Sequence, residues 1–211
     1  MIDLGTTEFV AVSAGPPLTG TDVVAALERG AQERGVRPLV FQSDRGKENT
    51  CAVTEAYLES HRIVHLRNVP RTPEHNPNTE RCHRDLKSAL AVPAGSAGLV
   101  LDRAVWRARV FEARDFENHG LRRESLGGLT AAEYSQTVLS WYDEPDHESF
   151  REAFYETTHK AVAEALRGVE SAHARQVIER ETKLAVMEQF NLIRRTRSDA
   201  FPRRRKPEGI S

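Results

Sequence analysis

Strand-like and helix-like patterns of hydrophobic positions alternate along the first part of the chain. Three short apolar runs have the length and flanking residues of buried strands: 8–14, 38–42 and 63–66. Between them, apolar residues recur at helical spacing in a segment that Thr19 or Thr21 caps and Gly35 ends, and again over 49–60. The order strand, helix, strand, helix, strand is typical of an α/β layer in which the strands run parallel.

The later part of the chain is dominated by helical spacing. Four helices are predicted after a loop rich in Pro and Asn: 78–91, 99–116, 147–167 and 171–193. The last of them carries Ile178, Ala185 and Leu192 at heptad intervals, a seam suited to an antiparallel hairpin or to a partner helix. We therefore predict an α/β domain over 1–135 and a helical extension with a basic tail over 136–211.

Composition restricts the class of protein. The 211 residues are enough for one domain with a helical appendage, and 39% of them are hydrophobic. The two cysteines, Cys51 and Cys82, do not make a disulfide scaffold, and reduced thiols are the default inside cells. The N-terminus lacks a signal-peptide pattern, and no apolar run approaches the roughly 18 residues of a membrane span. We therefore expect a cytoplasmic protein with no membrane partner.

Charge is balanced over the whole chain but not at its end. The formal net charge is −1 at pH 7, whereas the stretch from 194 to 206 contains seven Arg or Lys against Asp199 alone. Such a tail has two interpretations, phosphate contact through release of counterions or a disordered and solvated end, and both can hold together.

Two acids stand where a strand end and a helix start are predicted. Asp44 follows the apolar run that ends at Phe41, Glu80 lies in the first turns of the helix predicted over 78–91, and thirty-five residues separate the two acids. Such acids can converge on one divalent cation, because Mg²⁺ prefers oxygen ligands and usually takes one or two carboxylates plus substrate phosphates. Arg84 and Lys87 share the helical face of Glu80. The alternatives are ordinary surface acids and solvated helix charges.

The segment from Ser43 to Lys87 resembles the catalytic core of the DDE integrases and transposases of retroviruses and bacterial insertion sequences. That family has an Asp in S-D-x-G, then thirty-five residues, then a Glu in a segment such as H-N-x-x-x-E-R, followed by a Lys. Nine residues fall where this pattern requires them: Ser43, Asp44, Gly46, Pro73, His75, Asn76, Glu80, Arg81 and Lys87.

The resemblance implies a ribonuclease H-like α/β fold and metal-dependent DNA chemistry. In the family, Mg²⁺ or Mn²⁺ ions held by three carboxylates activate water or a DNA 3′ hydroxyl to attack a phosphodiester. Two cations roughly 3.5–4 Å apart clamp the attacking and leaving oxygens, and the carboxylates offset their mutual repulsion. By this resemblance, Asp44 and Glu80 are metal ligands, Lys87 contacts DNA near the scissile phosphate, and Arg84 holds a phosphate.

A second block and one departure qualify the resemblance. Six residues match, more weakly, the segment that closes the core in insertion-sequence transposases: Asn118, Arg122, Leu126, Gly127, Thr130 and Glu133. The resemblance ends near Ser135. The family's first acid lies on a strand fifty or more residues before the second, so we expect the chain to begin after that strand. Asp3 or Glu8 replacing that acid is the alternative.

Three functions remain open from the sequence. The first is a DNA-integration protein, a metal-dependent transposase or integrase that cuts and joins DNA. The second is a catalytically inactive, truncated transposase that binds DNA or a full-length transposase and regulates rather than reacts. The expected partners are DNA and either a second copy of this chain or a full-length transposase. The third is a helical interaction protein that uses the seam of the last helix.

Overall fold

A computed structural model describes residues 1–12, 18–70, 103–138 and 147–194, together with positions 84 and 88. The elements up to residue 70 are α1 (Gly20–Arg34), β1 (Val40–Ser43), α2 (Lys47–Thr50), α3 (Ala52–Ser60) and β2 (Val64–Arg67). Those beyond it are α4 (Arg103–Asp115), a π-helical turn (Phe116–Gly120), a 3₁₀ turn (Glu124–Leu126), α5 (Ala131–Val138), α6 (His147–Ala165) and α7 (Ala172–Gln189). None of the helices in these ranges is both long and apolar enough to cross a membrane.

The two strands form a parallel pair, as the sequence predicted. Val40 lies opposite Val64, and Ser43 lies opposite Arg67. The α/β class is therefore confirmed, with helices making up most of the described chain. Of the helix predicted over 78–91, positions 84 and 88 are helical, and the other residues lie outside the described ranges.

Helix α1 begins and ends where the sequence placed its signals. Thr19 is the N-cap in a capping box with Asp22, and Gly35 ends the helix in the left-handed region at φ 71°. Gly20 is required by packing, because a Cβ there would lie 2.2 Å from the Cys51 sulfur. Helix α1 therefore starts in close contact with the loop that joins α2 to α3.

The single helix predicted over 49–60 is wrong at its start. The chain breaks at Cys51, whose backbone is extended, and the Thr54 hydroxyl donates to the Glu48 carbonyl at 2.7 Å. A continuous helix would bond that carbonyl to the backbone N–H of Ala52 instead. The Thr54 hydroxyl therefore replaces a helical backbone N–H as the donor to the Glu48 carbonyl.

Helices cover both faces of the strand pair. On one face, Val23 and Leu27 of α1 form a cluster with Leu58 of α3 and with Ile63, which directly precedes β2. Phe41 of β1 packs against this cluster. On the other face, the hairpin of α6 and α7 packs on the strands through a larger cluster, Leu39, Val64, Leu66, Phe154, Tyr155, Val186 and Met187. The residues after 147 thus share a core with the sheet. The domain division at 135 stays a prediction.

The strand predicted over 8–14 does not form over residues 8–12. Phe9 is buried, yet its backbone N–H donates to Asn118 Oδ1 at 2.8 Å and its carbonyl accepts from Asn118 Nδ2 at 3.0 Å. Arg114 Nε also donates to this carbonyl, at 2.9 Å. One side-chain amide therefore provides the donor and the acceptor that a neighbouring strand would provide.

Phe154 tests whether the hairpin of α6 and α7 is part of the main core. Its side chain is 0% exposed and packs edge-on against Phe190, with ring centroids 5.4 Å apart. We expect Phe154→Ala to lower the free energy of unfolding by about 3–5 kcal/mol in urea titrations. Phe111→Ala, at a site 45% exposed on α4, is the matched control and should cost about 1 kcal/mol or less. Equal losses in the two variants would contradict a core role for the hairpin.

Candidate active site at the carboxyl end of the sheet

Asp44 leaves β1 at its carboxyl end and is exposed. Its Oδ1 accepts from the backbone N–H of Gly46 at 3.0 Å and from Asn49 Nδ2 at 2.8 Å. Its Oδ2 has no hydrogen bond or ion pair among the described residues. The carboxylate is therefore fixed through one oxygen and open at the other, which suits a single ligand to a divalent cation.

A chain of hydrogen bonds through Ser43, His65 and Glu55, called the relay below, reaches the backbone of Asp44. Ser43 Oγ lies 2.7 Å from the Asp44 carbonyl oxygen and 2.8 Å from His65 Nε2. His65 Nδ1 lies 3.0 Å from Glu55 Oε1, and Arg67 Nη2 bonds the same oxygen at 3.0 Å. The relay thus runs from α3 through β2 to the end of β1.

Burial lowers the pKa of His65, and the neighbouring Glu55 carboxylate opposes this only in part. His65 is therefore neutral at pH 7. The neutral ring donates from Nδ1 to Glu55, so that Nε2 and the Asp44 carbonyl oxygen share the single proton of the Ser43 hydroxyl. Arg67 and Lys183 also disfavour the charged ring.

The order Ser43, His65, Glu55 has the connectivity of an acyl-transfer triad. Ser43 is nevertheless only 8% exposed, and its hydroxyl lies between His65 and the Asp44 carbonyl. A buried hydroxyl in this position orders the chain and leaves no room for a substrate carbonyl. We assign the relay to positioning Asp44.

Asn68 ties the loop after β1 to the loop after β2. Its backbone N–H donates to the Ser43 carbonyl at 2.9 Å, and its own carbonyl accepts from Arg45 Nε at 3.0 Å. Its side-chain oxygen accepts from Gln42 Nε2 at 3.1 Å. Asn68 therefore fixes Arg45 beside Asp44.

The partners predicted for Asp44 fall mostly outside the described ranges. Glu80 and Lys87 lie outside them, and Arg84 is helical and exposed. Among the described residues, no group of three His, Cys, Asp or Glu side chains is placed to hold a metal ion. A shared metal site of Asp44 and Glu80 therefore stays a prediction.

Asp3 and Glu8 occupy a different part of the molecule. Arg34 Nη1 bonds Asp3 Oδ2 at 2.9 Å, and Arg34 Nη2 bonds Glu8 Oε2. Arg34 ends α1, whereas Gly20 at its start lies beside Glu48 and Cys51, near Asp44. A helix of 15 residues is about 22 Å long. This distance argues against either acid as a metal ligand beside Asp44.

The second block of matched residues has structural roles. Thr130 and Glu133 form a capping box at the start of α5, with the Thr130 N–H bonded to Glu133 Oε2 at 2.9 Å. Arg122 pairs with Glu133 at 3.1 Å, and Gly127 adopts the left-handed conformation at φ 68°. These residues, with Asn118, shape the segment after α4 without contributing to the carboxyl end of the sheet.

Neither the known protein-family models nor the curated protein sequences contain a match to this chain. Among solved structures, it is similar to the catalytic core domain of BIV integrase, with a TM-score of 0.45 and 27% identity, covering 62% of this chain and 80% of that one. It is also similar to a chain in the simian T-cell lymphotropic virus intasome in complex with the PP2A regulatory subunit B56 gamma. There the TM-score is 0.48 and the identity 18%, covering 60% of this chain and 44% of that one.

The lowered pKa of His65 predicts a loss of stability in acid. Well above about pH 6.5, the pKa of the imidazole in the unfolded chain, the ring is neutral in both states and its contribution to stability is fully present. As the pH falls towards the lowered folded-state pKa, the unfolded chain takes up a proton that the folded chain resists, so the free energy of unfolding falls. Urea titrations between about pH 7.5 and 5 should show this slope, and His65→Gln should reduce it.

The slope should be reduced and not abolished, because burial also lowers the pKa of His147 and of His159. His173→Gln is the matched control, since this histidine is exposed on the first turn of α7. An unchanged pH dependence in His65→Gln would contradict the neutral, buried relay.

Proposed function

We propose that this chain is a DNA-integration protein whose ribonuclease H-like, integrase-type core cleaves and joins DNA strands with the help of Mg²⁺ or Mn²⁺. The observation that carries the proposal is the placement of Asp44. It stands in S-D-x-G at the carboxyl end of a parallel strand, with one carboxylate oxygen open. Ligands of α/β sheets bind outside the carboxyl ends of the strands.

In this proposal, Asp44 and Glu80 hold the cation from two elements. A bound divalent cation supplies Lewis-acid stabilisation of the phosphodiester oxygens. The chain's own residues position the ligand: Gly46 and Asn49 fix Oδ1, and Ser43 fixes the Asp44 backbone. Arg84 and Lys87, which the sequence predicts to share a helical face with Glu80, bind the DNA backbone in this proposal.

A second candidate function has its own supporting observation. Asp3 and Glu8 are paired with Arg34 at the far end of α1, and two carboxylates described near Asp44, those of Glu55 and Glu179, are already paired with cations. No group of three potential metal ligands forms among the described residues. A chain that lacks a third carboxylate binds DNA, or a full-length transposase, without cutting. Such a chain acts as a regulator.

Strand transfer separates the two candidates. The purified chain is incubated with Mn²⁺ and a labelled DNA duplex, and joined products are resolved on a denaturing gel. We expect Asp44→Asn and Glu80→Gln each to reduce product to background, because each removes a charged metal ligand. Glu164→Gln, at an exposed site on α6, is the control and should retain activity.

The outcomes distinguish chemistry from binding. Activity that survives Asp44→Asn would refute the metal site. An inactive chain that still shifts the duplex in a native gel would favour the regulator. A chain that neither joins nor binds DNA would refute both proposals.

A further inference from the structure

Helix α7, which lies beyond the end of the family resemblance, places two cations at the carboxyl end of β2. Lys183 Nζ donates to the His65 carbonyl at 2.7 Å. Arg180 Nη1 donates to the Arg67 carbonyl at 3.3 Å and to Asn68 Oδ1 at 3.2 Å. The helical extension is therefore bonded directly to the edge of the sheet that carries Asp44.

Two of the four cations described at this edge make no ion pair with another described residue. Arg67 pairs with Glu55, and Lys183 pairs with Glu179. Arg45 and Arg180 make no ion pair within 4.0 Å in the part of the chain that the structure describes. Arg45 and Arg180 are thus without a direct carboxylate partner among the residues described at this edge.

Arg180 is the more unusual of the two unpaired arginines. It is only 7% exposed, and its Nε is buried without an acceptor among the described residues. Burial lowers its pKa, and Glu181 opposes this only in part. A buried charge without a counterion costs free energy, which a bound anion would recover.

The ionisation of Glu179 reports the sign of the local potential. Burial alone would raise the pKa of this carboxyl, yet attraction by Lys183, Arg67 and Arg45 lowers it. The attraction of these three cations therefore outweighs burial at the Glu179 carboxyl.

Asn68 brings the two unpaired arginines together. Its carbonyl accepts from Arg45 Nε at 3.0 Å, and its side-chain oxygen accepts from Arg180 Nη1 at 3.2 Å. Arg45 is half-buried and directly follows Asp44, and Arg67 beside it keeps 32% of its side chain exposed. Guanidinium groups match phosphate oxygens in geometry and in charge.

We propose that the phosphate backbone of DNA binds at this edge, in contact with Arg45 and Arg67 and over the buried charge of Arg180, so that helix α7 forms part of the DNA-binding face. The assignment of the phosphate to DNA rests on the proposed function. The phosphate site itself rests on the arrangement of the arginines around Asn68.

The test measures binding of the full chain to a fluorescein-labelled duplex by anisotropy, in EDTA, over a series of KCl concentrations. Each lost phosphate contact should weaken binding and reduce the slope of log K against log salt by about 1. We expect this of Arg45→Gln and of Arg180→Gln. Arg29→Gln, at an exposed position of α1 with no ion pair among the described residues, is the matched control and should bind as the parent does.

Arg45→Gln keeps the test decisive if Arg180→Gln does not fold, as circular dichroism would reveal. A folded Arg45→Gln with unchanged affinity and slope would overturn the proposal. A second arm adds pyrophosphate and follows the melting temperature. Stabilisation by pyrophosphate that requires Arg45, in a chain that does not bind the duplex, would overturn DNA as the source of the phosphate.

The outcome is independent of strand transfer. Loss of duplex binding in Arg45→Gln, in a chain that joins no DNA, would support the phosphate site while the metal chemistry fails. Strand transfer that requires Asp44, with binding unaffected by either arginine, would support the proposed function and overturn this inference.

Discussion

The register of the two parallel strands is the constraint on which the candidate site depends. Because Val40 lies opposite Val64, Ser43 lies opposite Arg67, and the polar residues that follow both strands emerge at one edge. A slip of one residue would turn Val64 and Leu66 from the hairpin of α6 and α7 towards α1 and α3. The packing of the apolar core therefore helps to fix the position of Asp44, together with its own hydrogen bonds.

The two faces of the sheet are stabilised in different ways, and the difference matters for the site. The face towards α6 and α7 is apolar and centred on Phe154. The opposite face includes His65, whose two ring nitrogens both have partners, Ser43 and Glu55. A buried polar network specifies one arrangement only when its members are satisfied, and this relay meets that condition for the imidazole. Because Glu55 of the relay belongs to α3, the packed position of α3 fixes the orientation of the chain at Asp44.

Local signals predicted much of the fold, and contacts distant in sequence account for what they missed. The cap at Thr19 and the left-handed Gly35 bound α1 as expected, since each acts on its own turn. The apolar run at 8–12 was misassigned because its backbone partner is the side chain of Asn118, more than a hundred residues away. In the site, S-D-x-G identified Asp44. No local pattern identified His65 or Arg180, which only strand pairing and the packing of α7 bring there.

Binding DNA and cutting it make different demands on this edge of the molecule. Binding requires positive charge, which in the proposed DNA-binding face comes from Arg45 in the loop after β1, Arg67 of β2 and Arg180 of α7. Cutting requires several carboxylates around the metal ions. Among the described residues no three potential metal ligands come together at this edge, since Glu55 and Glu179 are paired with cations and Asp3 and Glu8 are held by Arg34 at the far end of α1. An active site here must therefore draw its other acids from Glu80 and from residues outside the described ranges or on another subunit, whereas a phosphate site requires no further residue. The same architecture is thus compatible with both proposed functions, enzyme and regulator, and the number of carboxylates that reach Asp44 decides between them.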